Sequence, residues 1–135
     1  MPTSPSPAPT PDSQPHILVV DDDALVTQLI VDTLTREGYR LDSAPNGVAA
    51  LEKIRHQRYD VILSDLHMPQ LNGVGLYLAL TQHSDRLSEK IIFLTGSARS
   101  SELHRFLKET GLPVLHKPFT LVELQQLVRQ VLESR

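Results

Sequence analysis

The sequence predicts a three-layer α/β sandwich, a parallel sheet with helices packed on both faces. Two observations carry that expectation. From His16 onward, short apolar runs alternate with longer stretches whose apolar residues recur at helical spacing. Strands that alternate with helices pair in parallel through right-handed crossovers. In addition, residues 17–20, 61–63 and 91–94 are almost wholly apolar, the composition of strands covered on both sides.

Each element can be justified in turn. "ILVV" is the first strand. "DALVTQLIVDTLTREG" places Leu25, Leu29, Ile30 and Leu34 at roughly helical spacing and ends at Gly38, a good C-terminal stop. "YRLDSA" alternates weakly and reads as an edge strand, and "NGVAALEKIRHQR" is a helix with Asn46 as N-cap and Val48, Leu51 and Ile54 as apolar positions. "DVILS" is the third strand. After a loop holding Pro69 and Gly73, "VGLYLALTQH" is helical. "KIIFL" is a strand, "SSELHRFLKETG" a helix stopped by Gly111, and "PVLH" the last strand. Thr120 and Glu123 have capping-box spacing and open a final helix with Leu124, Leu127, Val128 and Val131.

Residues 1–15 stand apart. Pro2, Pro5, Pro7, Pro9, Pro11 and Pro15 lie among Ser, Thr and Ala, too little apolar surface to offset the entropy of ordering. They read as a disordered tail with polyproline II character. Pro2 and Pro5 have PxxP spacing, but a plain tail is the simpler reading. Residues 16–135 then form one domain. With 40% hydrophobic and 21% charged residues the composition is that of a soluble globular domain, and a net charge of −3 argues against a general nucleic-acid surface. The absence of cysteine excludes disulfides and thiolate metal sites. No apolar run approaches the ~20 residues of a membrane-spanning helix, and the N-terminus lacks a signal-peptide layout. A cytoplasmic protein that binds neither membrane nor nucleic acid is the expectation.

The polar residues that end the strands point to chemistry. The first strand stops at Asp21 and Asp22, the third at Asp65, the fourth at Thr95 and the fifth at Lys117. In a parallel sheet these ends share one edge, and open α/β sheets bind ligands outside it. Carboxylates suit a hard divalent cation such as Mg²⁺, while a hydroxyl and an ammonium suit a phosphoryl group. Clustered acids also repel, so at least one is expected to titrate above its ordinary value without metal. The plainer reading of Asp21–Asp23 is a helix cap, since acids are favoured at helix N-termini by about 0.3–1 kcal/mol. Asp23 fits that role best.

"LVVDDD", "DVILSDLHMPQLNG", "IIFLTG" and "HKPF", in this order on four strand ends, resemble the receiver domains of response regulators, the CheY-like family of two-component signalling. The resemblance covers about residues 16–134. It implies a flavodoxin-like (βα)5 fold with strand order 2-1-3-4-5. It implies Asp65 as phosphoacceptor and Mg²⁺ or Mn²⁺ held by Asp22, by Asp21 mostly through water, by Asp65 and by the main-chain carbonyl of His67. Thr95 would hydrogen-bond a phosphoryl oxygen, Lys117 would pair with it, and the Lys117–Pro118 peptide would be cis. The donor would be a histidine kinase or histidine phosphotransfer protein, with signalling through an unnamed downstream protein, and the domain would be a monomer or weak homodimer. It would act as a single-domain regulator, relay intermediate or phosphate sink rather than as an enzyme with its own catalytic domain.

Three residues refine this expectation. His67 and Ser97 sit at the rim, two residues after Asp65 and Thr95, where they could alter phosphoryl lifetime. Val114 stands where many receivers carry an aromatic switch residue; a β-branched side chain has few rotamers, which puts the usual threonine–aromatic switch in doubt. The remaining histidines read as surface side chains. The alternatives are a Mg²⁺-dependent aspartyl-phosphate phosphatase, which would want a second acid where His67 stands, and a pseudo-receiver that is never phosphorylated.

Overall fold

Every position of the three central strands is buried, and this places the core on both sides of one sheet. The computed structural model describes residues 14–67, 72–82, 86–96 and 101–133; the proposed tail therefore lies almost wholly outside the described residues. In chain order the elements are β1 (His16–Val20), α1 (Ala24–Arg36), β2 (Arg40–Ala44), α2 (Gly47–His56), β3 (Val61–Asp65), α3 (Gly73–Leu80), β4 (Ile91–Thr95), α4 (Ser101–Thr110), β5 (Val114–His116) and α5 (Leu121–Glu133). A 3₁₀ turn over Arg86–Lys90, not expected from the sequence, leads into β4 and buries Leu87. All strand pairs are parallel, in the order β2-β1-β3-β4-β5. This is the flavodoxin-like three-layer sandwich, with β2 on one edge as its weak alternation implied.

Strand alternation sorts the core into two layers. Leu18, Val20, Ile62, Ile91 and Phe93 face Ala50, Ile54, Leu76, Leu80 and, less deeply, Phe106 of α2, α3 and α4. Ile17, Val19, Leu63, Ile92, Leu94 and Leu115 face Ile30, Leu34, Leu124 and Val128 of α1 and α5.

The helix ends follow their sequence signals. Asp23 caps α1, its carboxylate accepting from the Leu25 N–H at 2.9 Å and the Val26 N–H at 3.3 Å. Asn46 caps α2 through the Ala49 N–H. The Thr120 N–H donates to Glu123 and the Glu123 N–H to the Thr120 hydroxyl, completing the capping box. Gly38 and Gly111, with φ of 96° and 65°, end α1 and α4 in the left-handed region that glycine alone enters freely.

Two sequence readings need correction. The buried face of α1 is Ile30, Thr33 and Leu34; Leu25 is 83% and Leu29 45% exposed, and Val48 of α2 also faces solvent. Leu25 and Leu29 lie one turn apart on a stripe rotated away from the sheet, which approximate periodicity did not separate from the buried one. The second correction concerns His16, which is buried rather than a surface histidine. Its Nε2 lies 2.9 Å from Asp42 Oδ2 and its Nδ1 3.1 Å from the Arg58 carbonyl. Its ring stacks at a tilt on Tyr59, whose hydroxyl donates to Asp42 at 2.7 Å. The network ties β1, β2 and the start of β3 together at the end of the sheet opposite the acids.

Burial alone would raise the Asp42 carboxyl, but the Tyr59 hydrogen bond and the charge on His16 outweigh it and hold Asp42 below its ordinary value. A carboxylate depressed on folding stabilises the native state above the unfolded value, near pH 4, and loses that contribution as pH falls through its lower folded value. Asp42→Asn should therefore flatten the acid limb of the stability curve, measured as urea midpoints between pH 7 and pH 3. Tyr59→Phe should cost about 1–2 kcal/mol at pH 7 without disturbing the site at the other end of the sheet.

Candidate functional site

The site grows from the carboxyl ends of β1, β3 and β5. Asp21 follows Val20 and Lys117 follows His116, while Asp65 is the last residue of β3. By alternation all three continue the strand face that packs on α1 and α5. Asp21 and Asp65 are almost fully buried and Asp22 is exposed beside them. One carboxylate oxygen from each of Asp21, Asp22 and Asp65 lies within 4.8 Å of the others. The Lys117 ammonium bridges two of them, donating to Asp21 Oδ2 at 3.0 Å and to Asp65 Oδ2 at 3.1 Å.

Backbone donors hold the other oxygens of Asp21 and Asp65. The Asp23 N–H donates to Asp21 Oδ1 and the His67 N–H to Asp65 Oδ1, both at 2.9 Å. The Thr27 hydroxyl, one turn into α1, reaches the Asp21 carbonyl at 3.4 Å.

The electrostatics record the crowding. Burial pushes the Asp21 carboxyl up and the neighbouring charge of Asp65 adds to it, against the hydrogen bonds from Asp23 and Lys117. For Lys117, burial alone would lower the ammonium, but its bonds to Asp21 and Asp65 prevail and hold it above the ordinary lysine value. Among the described residues a single cation thus answers the two buried acids, and Asp22 stands exposed at the mouth. Three hard oxygen donors around a deficit of positive charge fit a divalent cation of the Mg²⁺ or Mn²⁺ type.

Thr95 stands apart from this cluster. It is fully buried at the end of β4, and alternation sends it to the side of Ile91 and Phe93, toward α3 and α4. Its carbonyl accepts from the Lys117 N–H at 2.8 Å, which locks the ends of β4 and β5. Val114 pairs with Phe93 and packs, half-buried, against the same layer. His67 is exposed, the Lys117–Pro118 peptide is cis, and Ser97 lies outside the described residues.

Sequence reasoning missed Gly73. A Cβ there would lie 2.6 Å from the Asp65 carbonyl oxygen and 3.0 Å from Leu66 Cα, so the first turn of α3 sits against the backbone that carries Asp65. The sequence reading left Gly73 in the loop, whereas it is the first residue of α3, and the close approach arises from packing.

The fold and this edge define a class, single parallel sheets with an acidic pocket at their carboxyl ends. The sequence profile of the response regulator receiver domain matches residues 17–129, and the chain belongs to that family. It is therefore a receiver domain of two-component signalling. Response regulator MprA of Mycobacterium ulcerans is 37% identical over 117 residues, 87% of this chain and 50% of that protein. The chain spans half or less of the length of the curated relatives it matches. Among solved structures, chemotaxis protein CheY4 of Vibrio cholerae superposes with a TM-score of 0.78 at 32% identity, covering 87% of this chain and 98% of that one. The receiver domain of sensor histidine kinase PA1611 from Pseudomonas aeruginosa PAO1, which has a magnesium ion coordinated in its active site cleft, gives 0.78 at 28% identity over 90% and 99%. Among the described residues no helix is long and apolar enough to cross a membrane.

Because Gly73 has no room for a side chain, Gly73→Ala should destabilise the domain by about 1–3 kcal/mol. The same variant should move the Asp65 and Leu66 amide resonances, while Gly96→Ala, where a Cβ meets nothing within 4 Å, should leave them in place. Urea unfolding and amide spectra check both.

Proposed function

We propose that this chain accepts a phosphoryl group on Asp65 from a phosphohistidine and signals through protein contacts made in the phosphorylated state. The observation that carries this reading is the Asp21–Asp22–Asp65 cluster with Lys117 between two of its members. An Asp65 oxygen attacks phosphorus, the phosphorus–nitrogen bond breaks, and the donor imidazole leaves with that electron pair. Asp21 and Asp22, with Asp65 and the His67 carbonyl, would hold Mg²⁺ or Mn²⁺, which supplies positive charge that offsets repulsion between an anionic nucleophile and an anionic phosphoryl group. The magnesium in the PA1611 receiver supports that assignment.

The chain's own residues do the rest by position and charge. The His67 N–H orients the Asp65 carboxylate through Oδ1, leaving Oδ2 on the side of Lys117. The ammonium is already within reach of the atom that reacts and can turn from Asp65 to a phosphoryl oxygen. Thr95 supplies a hydroxyl from the neighbouring strand end. The acyl phosphate adds charge and oxygens at this edge, the event that the outer faces would read. His67, exposed at the rim, would meet water approaching the acyl phosphate, and Ser97 is proposed for the matching position beyond Thr95.

A protein donor also needs a surface. Leu25 and Leu29 form an exposed apolar stripe on α1, which starts two residues after Asp22. This suits an apolar helix face carrying the donor histidine.

Incubation with Mg²⁺ and acetyl phosphate, followed by intact mass, should show one added phosphoryl group, absent in Asp65→Asn and blocked by EDTA; an unmodified wild-type protein would overturn the proposal. Mg²⁺ at about a hundredfold above its Kd should stabilise the domain by roughly 2.7 kcal/mol, an increment largely missing from Asp22→Ala in thermal unfolding. Leu25→Glu should slow transfer from a phosphorylated histidine protein about tenfold or more, the effect of ~1.4 kcal/mol, while the acetyl phosphate rate stays at wild type. His67→Ala and Ser97→Ala should change the decay rate of the phosphoprotein without preventing its formation; unchanged decay in both would remove their rim role.

A further inference from the structure

Val114 leaves the last strand without a ring, and the layer around it contains one from another element. Phe93 and Val114 are register partners on β4 and β5, and both belong to the layer facing α3 and α4. Two rings meet Phe93 there, one from α3 and one from α4. Phe106 lies 5.5 Å, centroid to centroid, from Phe93 at 64° and 5.5 Å from Tyr77 of α3 at 84°. Tyr77 closes the triangle at 6.2 Å from Phe93. All three contacts are edge-on, the arrangement in which a small shift of one ring changes its fit with both others.

The three rings differ in freedom. Phe93 is fully buried, whereas Phe106 is half-buried where α4 meets the sheet. The other side of α4 carries Glu102, Arg105, Lys108 and Glu109, all exposed. Thr95 follows Phe93 by two residues and shares its strand face. Any displacement of Thr95 would therefore act on the layer where Phe106 seats α4, not on the layer of Asp21, Asp65 and Lys117. Val114, branched at Cβ, has little rotameric freedom with which to transmit it.

We propose that in this chain Phe106 on α4 performs the coupling that an aromatic residue on the last strand would otherwise perform. The two-state element is the seating of α4 on Phe93 and Tyr77, and phosphorylation shifts it as a body. This rests on Asp65 being the phosphoacceptor, and the experiment separates the two. Amide hydrogen exchange is measured with and without Mg²⁺ and acetyl phosphate, with phosphoryl incorporation read by mass on the same samples. Wild type should show exchange in α4, residues 102–110, altered about threefold or more by phosphorylation. Phe106→Leu and Phe106→Met, both apolar and both without a ring, should incorporate the phosphoryl group to the wild-type extent but lose most of that difference, with unchanged protection in β1 and β3 showing that they fold. Val114→Ala should keep it. Absent incorporation in wild type would refute the phosphoacceptor assignment. Normal incorporation with an unaltered α4, or with a response that survives both Phe106 variants, would overturn the role of Phe106.

Discussion

The contact on which the site depends is the Lys117 ammonium held between Asp21 and Asp65. These residues are far apart in the chain and come from three strands, so the bridge exists only if β1, β3 and β5 end level along one edge. The parallel register delivers that alignment, and the Lys117 N–H bond to the Thr95 carbonyl secures the outermost strand. Two acids so deeply buried would otherwise repel in a medium of low polarity. The lysine offsets part of this repulsion; among the described residues the cluster sets three carboxylates against one ammonium, with Asp22 at its exposed end. That imbalance suits a divalent cation.

Strand pleating gives the site two sides. Asp21, Asp65 and Lys117 project with the residues that pack on α1 and α5, whereas Thr95 projects with those that pack on α3 and α4. The charged cluster therefore sits against one helical layer and the buried hydroxyl against the other. At the far end of the sheet, the His16–Asp42–Tyr59 network clamps the first three strands. A rigid base of this kind is what allows groups at the opposite edge to be held within hydrogen-bonding distance.

The strands and the acid cluster were legible in the sequence because they rest on strong local signals. Uninterrupted apolar runs mark doubly covered strands, and the polar residue after each run marks its end. Weaker signals misled. Leu25 and Leu29 have nearly the spacing of a buried stripe, yet α1 turns Ile30, Thr33 and Leu34 inward, since a single step of about 100° separates the two choices. His16 carried no motif; its burial follows from Asp42 and Tyr59 arriving beside it from other strands.

The sequence by itself determined the alternation of strands and helices, the caps at Asp23, Asn46 and Thr120, and the set of acids, hydroxyl and lysine at the strand ends. Each depends on residues within a few positions of one another, where backbone geometry leaves few options. Only the tertiary structure decided that Lys117 bridges Asp21 and Asp65, that Gly73 must lack a side chain beside the Asp65 carbonyl, and that Phe106 packs with Tyr77 and Phe93 in the layer of Val114. Those contacts join segments distant in the chain, and their distances are set by how the layers pack, which local pattern does not encode.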